Sequence, residues 1–245
     1  MGFSLLAKDL FQTKDKFGIV VTGILIGEVS VGDNIYILRP EADYRGVVIR
    51  IDQNTDGKTY QTDHGVTGSA ALHLQMEGRF SIGQYDVVSD VPSQREIDVN
   101  VPVVNPYLSG IIAVYRFYKN DDSYMDHFVY ALAHGHFLVP IKTMEGKEDD
   151  FAFAALPDQN DSSKQRMPLF TDWGQLNRWE GLVQEDEKIK TVILTFPDVA
   201  GSLSSGGFDG IVINPFCEQP ISVDSSMINS ITNLDGYKME FGKGL

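Results

Sequence analysis

A single cysteine, Cys217, stands among 245 residues, so no disulfide can form within the chain. That usage fits a reducing compartment, and no basic residue flanks the thiol to lower its pKa. The sequence contains no G-x-x-x-x-G-K-[ST] loop, which excludes a phosphate cradle of that type. No apolar run approaches the roughly 18 to 20 residues that a membrane-spanning helix needs. The N-terminal apolar run Phe3-Ser4-Leu5-Leu6-Ala7 stops at Lys8, too soon for a signal peptide. Leu6 also occupies the place where a myristoylation signal carries Ser or Thr. Basic residues are scarce, with 20 Lys and Arg against 34 Asp and Glu, for a net charge of −14. An excess of that sign repels phosphate backbones and anionic lipids, so neither nucleic acid nor a membrane is expected as a partner. The expected location is the cytoplasm.

What is present is an ordinary globular mixture, 42% hydrophobic and 22% charged, enough for a packed core. The acidity is uneven. Residues 1–95 hold 9 basic and 12 acidic side chains, a net of −3, which leaves 11 against 22, a net of −11, for residues 96–245. That imbalance serves solubility, or steers a basic partner towards the second half.

Residues 17–91 read as short β-branched runs broken by turn residues. The runs are Phe17 to Gly27, Ile35 to Leu38, Val47 to Ile51, Ala70 to Leu74 and Tyr85 to Val88. Val31-Gly32-Asp33-Asn34 supplies turn chemistry, and the polar stretch Asp52 to Gly57 reads as a connection. Short strands at this spacing predict a closed or sandwiched all-β domain. Three stretches carry a resemblance: Gly18-Ile19-Val20-Val21-Thr22-Gly23 running on to Val31-Gly32-Asp33, then Val47 to Ile51, then Gly65 to Leu74 leading into Ile82 to Val88. In that order they resemble the second domain of translation elongation factor Tu. The resemblance implies a rigid barrel, without the GTPase domain that precedes it in that family.

Pro92 to Pro102 reads as a linker. Beyond it the pattern turns helical, with Leu108, Ile111, Ile112 and Tyr115 on one face, then Met125, Phe128, Val129 and Leu132 on another. Strands are expected at Phe137 to Ile141, Asp149 to Leu156, Thr191 to Phe196 and Gly210 to Ile213. Gln159 to Gln165 is expected as a polar loop, and Pro168 to Trp173 as the opening of a short helix that reaches Trp179. Strands and helices without strict alternation predict an α+β domain. Asn105-Pro106-Tyr107-Leu108, Phe128 to Pro140, Met167-Pro168-Leu169-Phe170-Thr171-Asp172-Trp173 and Gly207 to Phe216 resemble the N-terminal domain of the SseB family. That resemblance implies a fold and no defined activity. The expected organisation is a barrel at 1–91, a linker at 92–102 and an SseB-like α+β domain at 103–245.

Several clusters carry potential chemistry. His134 and His136, with His127 and Asp126 earlier on the helical segment, suggest a metal site, but such a site needs three or four ligands and no second cluster is visible. The reading taken is that they are helix-end histidines complementing the macrodipole. Gly201-Ser202-Leu203-Ser204-Ser205-Gly206-Gly207 lacks the serine position of a nucleophile elbow and reads as a flexible loop. The acidic runs Glu145 to Asp150 and Glu185 to Lys188 read as solvated loops, since acid–base work needs carboxylates whose pKa values are driven apart. Phe170, Trp173 and Trp179, beside Asp172, either fill a core or line a groove for a peptide. Asn214 and Pro215 end a strand and complete the candidate interaction surface. The sequence therefore predicts no enzyme, no cofactor and no metal. It predicts a protein-interaction or regulatory module whose partner is another protein or peptide, with a ribosome- or translation-associated factor as the alternative and a hydrolase or metalloenzyme built around His134 and His136 as the third reading.

Overall fold

The computed structural model describes residues 2–98, 100–143, 151–159, 161–179 and 189–242. By compactness the chain divides into two units, Met1–Gln94 with Pro106–Ala131, and Arg95–Asn105 with Leu132–Leu245.

The first unit is an antiparallel β-barrel carrying helices. Its strands are β1 (Ser4–Gln12), β2 (Gly18–Ile26), β3 (Val29–Ser30), β4 (Asn34–Leu38), β5 (Asp43–Thr55), β6 (Lys58–Thr62), β7 (His64–Gly65), β8 (Gly68–Met76) and β9 (Val87–Ser89). Pairing runs β1–β2–β8–β5–β4–β9 and returns to β1, so six strands close on themselves. Closure removes the exposed edges that an open sheet would present. Strand β8 alternates as the pleat demands, with Ala70, Leu72, Leu74 and Met76 turned into the core. Ile19, Val21, Ile35, Ile37 and Ile51 meet them there. A register shift between Val48 and Arg50 turns Ile49 out to solvent, a bulge that strand periodicity does not foretell.

Two expectations for this region change. Strand β1 was not anticipated, because its inward residues Leu5 and Ala7 are followed by the charged Lys8 and Asp9, and its register shifts there. The stretch Asp52 to Gly57 is not a plain connection either: β5 continues to Thr55 and reverses into β6. Asp56 and Gly57 both have positive φ, 54° and 74°, the geometry of a two-residue hairpin turn that Asp-Gly favours. The stretch is polar because β6 is largely exposed.

Helices α1 (Pro106–Ile112), α2 (Tyr115–Tyr118) and the part of α3 (Asp122–Ala133) up to Ala131 belong to this unit. Helix α1 lies so close to β9 that a Cβ on Gly110 would sit 2.5 Å from Val87 Cγ1. Tyr124 donates to the Ile111 carbonyl at 2.7 Å, and Tyr85 donates to Asp121 at 2.9 Å, fixing α3 against α1 and the barrel.

The second unit mixes strands and helices. It contains β10 (His136–Thr143), β11 (Phe151–Phe153), β12 (Leu156–Pro157), β13 (Gln165–Leu169), α4 (Trp173–Leu176), β14 (Ile189–Thr195), α5 (Phe196–Gly206), β15 (Gly210–Ile213), β16 (Ile221–Asp224), α6 (Ser225–Asn233) and α7 (Asp235–Phe241). One sheet has the order β11-β10-β14, and the other β12-β13-β15-β16, with β13 and β15 parallel. The two are stitched where Leu138 and Phe170 exchange backbone hydrogen bonds of 2.9 and 3.0 Å.

Here residues 201–207 are not a loop: 201–206 lie in α5, and Gly207 ends it in the left-handed conformation. Thr195 and Asp198 form a reciprocal capping box and Pro197 enters the first turn, so the helix begins where the sequence suggested only the end of a strand. Phe196, Val199 and Leu203 form its buried stripe. Pro168 and Leu169 finish β13 instead of opening a helix, and α4 is a single turn. The acidic runs Glu145 to Asp150 and Glu185 to Lys188 lie outside the described residues.

Candidate functional site

The second unit gathers the segments that end β13 and β15. Phe170 follows β13 and is fully buried, packed with Val103, Leu138 and Leu176. Trp179 and Phe216 lie nearly parallel to it. Ring centroids are 6.2 Å from Phe170 to Trp179, 6.3 Å from Phe170 to Phe216, and 6.0 Å from Trp179 to Phe216, with planes within 19°. Trp179 is half-buried, whereas Phe216 and Trp173 are 40% and 44% exposed. The cluster thus has a buried root and an exposed aromatic face. Phe170 supplies the root and offers no surface itself.

Polar groups lock this arrangement. Asn214 adopts a positive φ of 50° immediately after β15, a conformation Asn tolerates better than most residues. Its Oδ1 accepts from the Thr171 backbone N–H at 3.0 Å, and its Nδ2 donates to Thr171 Oγ1 at 3.0 Å. Thr171 Oγ1 in turn donates to Asp172 Oδ2 at 2.9 Å, while Asp172 Oδ1 caps α4 through the Gln175 N–H at 3.0 Å. Both carboxylate oxygens of Asp172 are therefore engaged within the fold. Asn105 ties a third segment in, donating to the carbonyls of His136 and Thr171, both at 2.7 Å. Pro215 is half-buried and sets the chain's exit towards Phe216.

Of the six residues singled out from sequence, Trp179 stacks on the buried Phe170, Trp173 stands exposed at the first residue of α4, and Asp172, Asn214 and Pro215 hold the turns. Phe216 was missed, although an aromatic directly after Asn-Pro at a strand end was a usable signal. Asn105 and Thr171 were missed as supports, because their partners lie far away in sequence.

The histidines have other duties. His134 Nε2 lies 2.8 Å from Glu240, His127 Nδ1 lies 2.7 Å from the Tyr107 hydroxyl, and burial lowers the proton affinity of His136. Among the described residues no three His, Cys, Asp or Glu side chains gather as metal ligands. No helix among them is long and apolar enough to cross a membrane. Ser202 donates to the Asp198 carbonyl at 2.8 Å inside α5, away from any strand-to-helix elbow.

No curated protein matches the chain. Among solved structures it is similar to the Ski7 GTPase-like domain of S. cerevisiae bound to GTP, at 9% identity and a TM-score of 0.31, covering 65% of this chain and 34% of that one. The same domain bound to GDP and inorganic phosphate gives 10% identity and a TM-score of 0.30, covering 65% and 35%. The chain thus spans about a third of the length of those structures, and a likeness of that size bears on neither fold nor function. The family model described as "SseB protein N-terminal domain" matches residues 111–230, a stretch that contains the whole Phe170–Trp179–Phe216 stack and its Asn214 support. The strand-turn elements at 165–172 and 210–216 lie inside that match, so over residues 111–230 the chain is similar to the SseB protein N-terminal domain.

Proposed function

We propose that this protein is a non-catalytic interaction module whose aromatic face, formed by Trp173, Trp179 and Phe216, takes a peptide bearing apolar and basic side chains. One observation carries the reading: large aromatic side chains stand partly exposed beside a fully buried Phe170, and the turns that follow it are held by the Asn214–Thr171 and Asp172–Gln175 hydrogen bonds. A pre-organised aromatic surface loses little entropy on binding, which is what makes such residues efficient anchors. The excess of carboxylates over residues 96–245 favours a basic partner through long-range attraction.

The test is affinity capture with the full chain and with a Trp173→Ala/Phe216→Ala variant, followed by binding measurements with the purified captured protein. Binding weakened at least about tenfold by the substitutions supports the reading. Equal binding by both, or turnover of esters, phosphoesters or peptides by the purified chain, contradicts it.

A second reading is association with the translation apparatus. It rests on the closed six-stranded barrel together with the factor-like stretch at Gly18 to Gly23 on β2. Co-sedimentation with ribosomes at low salt would favour it over the first.

A further inference from the structure

At one end of the barrel the β1–β2 turn faces the segment joining β8 to β9 across a cleft of about 520 Å³. That volume lies in the range of roughly 300–1,000 Å³ typical of small-molecule sites. Its floor is apolar: Leu10, Ile19, Phe80 and Ile82 line it, and Leu10, Phe80 and Ile82 are partly exposed where they pack on the barrel core. Its rim is cationic, with Lys16 on one side and Arg79 on the other, and no carboxylate lines it. On a chain with 34 acidic residues that composition is selective.

Arg79 is singular among the barrel's arginines. Arg39, Arg45 and Arg50 each pair with a carboxylate, whereas Arg79 has no such partner among the described residues. Lys16 lies over the Phe17 ring, 4.9 Å from its centroid, and likewise has no carboxylate partner. Ser81, which also lines the cleft, accepts a hydrogen bond from Arg39 at 2.5 Å, which leaves its hydroxyl proton available to donate. Two cations and a free hydroxyl donor therefore stand above a hydrocarbon floor.

We infer that this cleft is a binding site for a small amphipathic carboxylate, its anionic head held by Arg79, Lys16 and Ser81 and its apolar body laid over Phe80, Ile82 and Leu10. The inference concerns the barrel and does not depend on the aromatic face of the second unit.

Calorimetric titration of the full chain with octanoate and decanoate tests it, with octanol and octylammonium as matched controls and Arg79→Ala and Lys16→Ala as exposed-site variants. The expected result is saturable carboxylate binding, weakened roughly tenfold by either substitution and by the neutral alcohol. Longer chains should bind more tightly, and the ammonium should not bind. Absence of saturable carboxylate binding at millimolar concentration, or binding indifferent to both substitutions, overturns the inference. So does a short RNA that binds through the same two cations when no carboxylate does.

Discussion

Arg166 is almost fully buried in the second unit, yet it carries a charge. Its Nε donates to Asp158 at 2.7 Å, one terminal nitrogen donates to Asp224 at 2.6 Å, and the other donates to the Val223 carbonyl at 3.2 Å. Burial works against the charge, but the two carboxylates hold the guanidinium above its ordinary pKa. Arg166→Met should cost about 3–5 kcal/mol, because it strands the buried Asp158. Chemical denaturation followed by tryptophan emission reads this directly, since both tryptophans lie in that unit. Asp86 in the barrel unit presents the reverse case. Burial pushes its carboxyl up to about 6, against the Gly83 N–H at 2.5 Å and Arg39 at 3.1 Å. A folded-state pKa above the unfolded value means the folded chain holds the proton more tightly. Stability from this group is therefore present below the unfolded value and is lost as pH rises through about 6. The loss amounts to about 2 kcal/mol between pH 4 and 7. Asp86→Asn removes this pH dependence, so hydrogen exchange at Val87 and Val88 in the variant should slow relative to wild type as pH rises. Neither residue announced itself in the sequence, where Arg166 follows a stretch that reads as a polar loop and Asp86 sits in an apolar run. Arg166 finds Val223 and Asp224, and Asp86 finds Arg39, in segments distant along the chain, while Asp158 lies eight residues before Arg166.

At the scale of elements, the clearest signals were those with a strict period. The alternation in β8 and the apolar stripe of α3 were legible because one face of each is buried. Helix α5 was not, because Pro197 reads as a stop after a strand until Thr195 and Asp198 are seen as its cap. The hairpin β5–β6 was hidden by its polarity, although Asp56-Gly57 is a turn signal in its own right. Gly110 was the readable clue to close packing of α1, since glycine within an apolar helical run costs about 1 kcal/mol relative to alanine unless something approaches it. The structure supplies that neighbour in Val87. Gly110→Val should therefore destabilise the barrel unit by about 1–3 kcal/mol through overpacking. The double variant Gly110→Val/Val87→Ala should recover part of that loss. Thermal unfolding of the three chains measures both quantities.

For the whole molecule, charge and aromatic placement together define the functional reading. The candidate surface was legible as a cluster of residue types: Phe170, Trp173 and Trp179 stood out from sequence. Which of them face solvent was not legible, because that depends on how the turn at Asn214 presents Phe216 beside Trp179. The two tryptophans of the chain are both at that surface, so their emission reports on it without a label. The most direct measurement is a titration of intrinsic tryptophan fluorescence with a panel of peptides combining apolar with either basic or acidic residues. Saturable changes confined to the basic-apolar peptides, abolished by Trp173→Ala/Phe216→Ala, are the predicted result. Emission indifferent to every basic-apolar peptide, or responding equally to the acidic ones, would contradict the account.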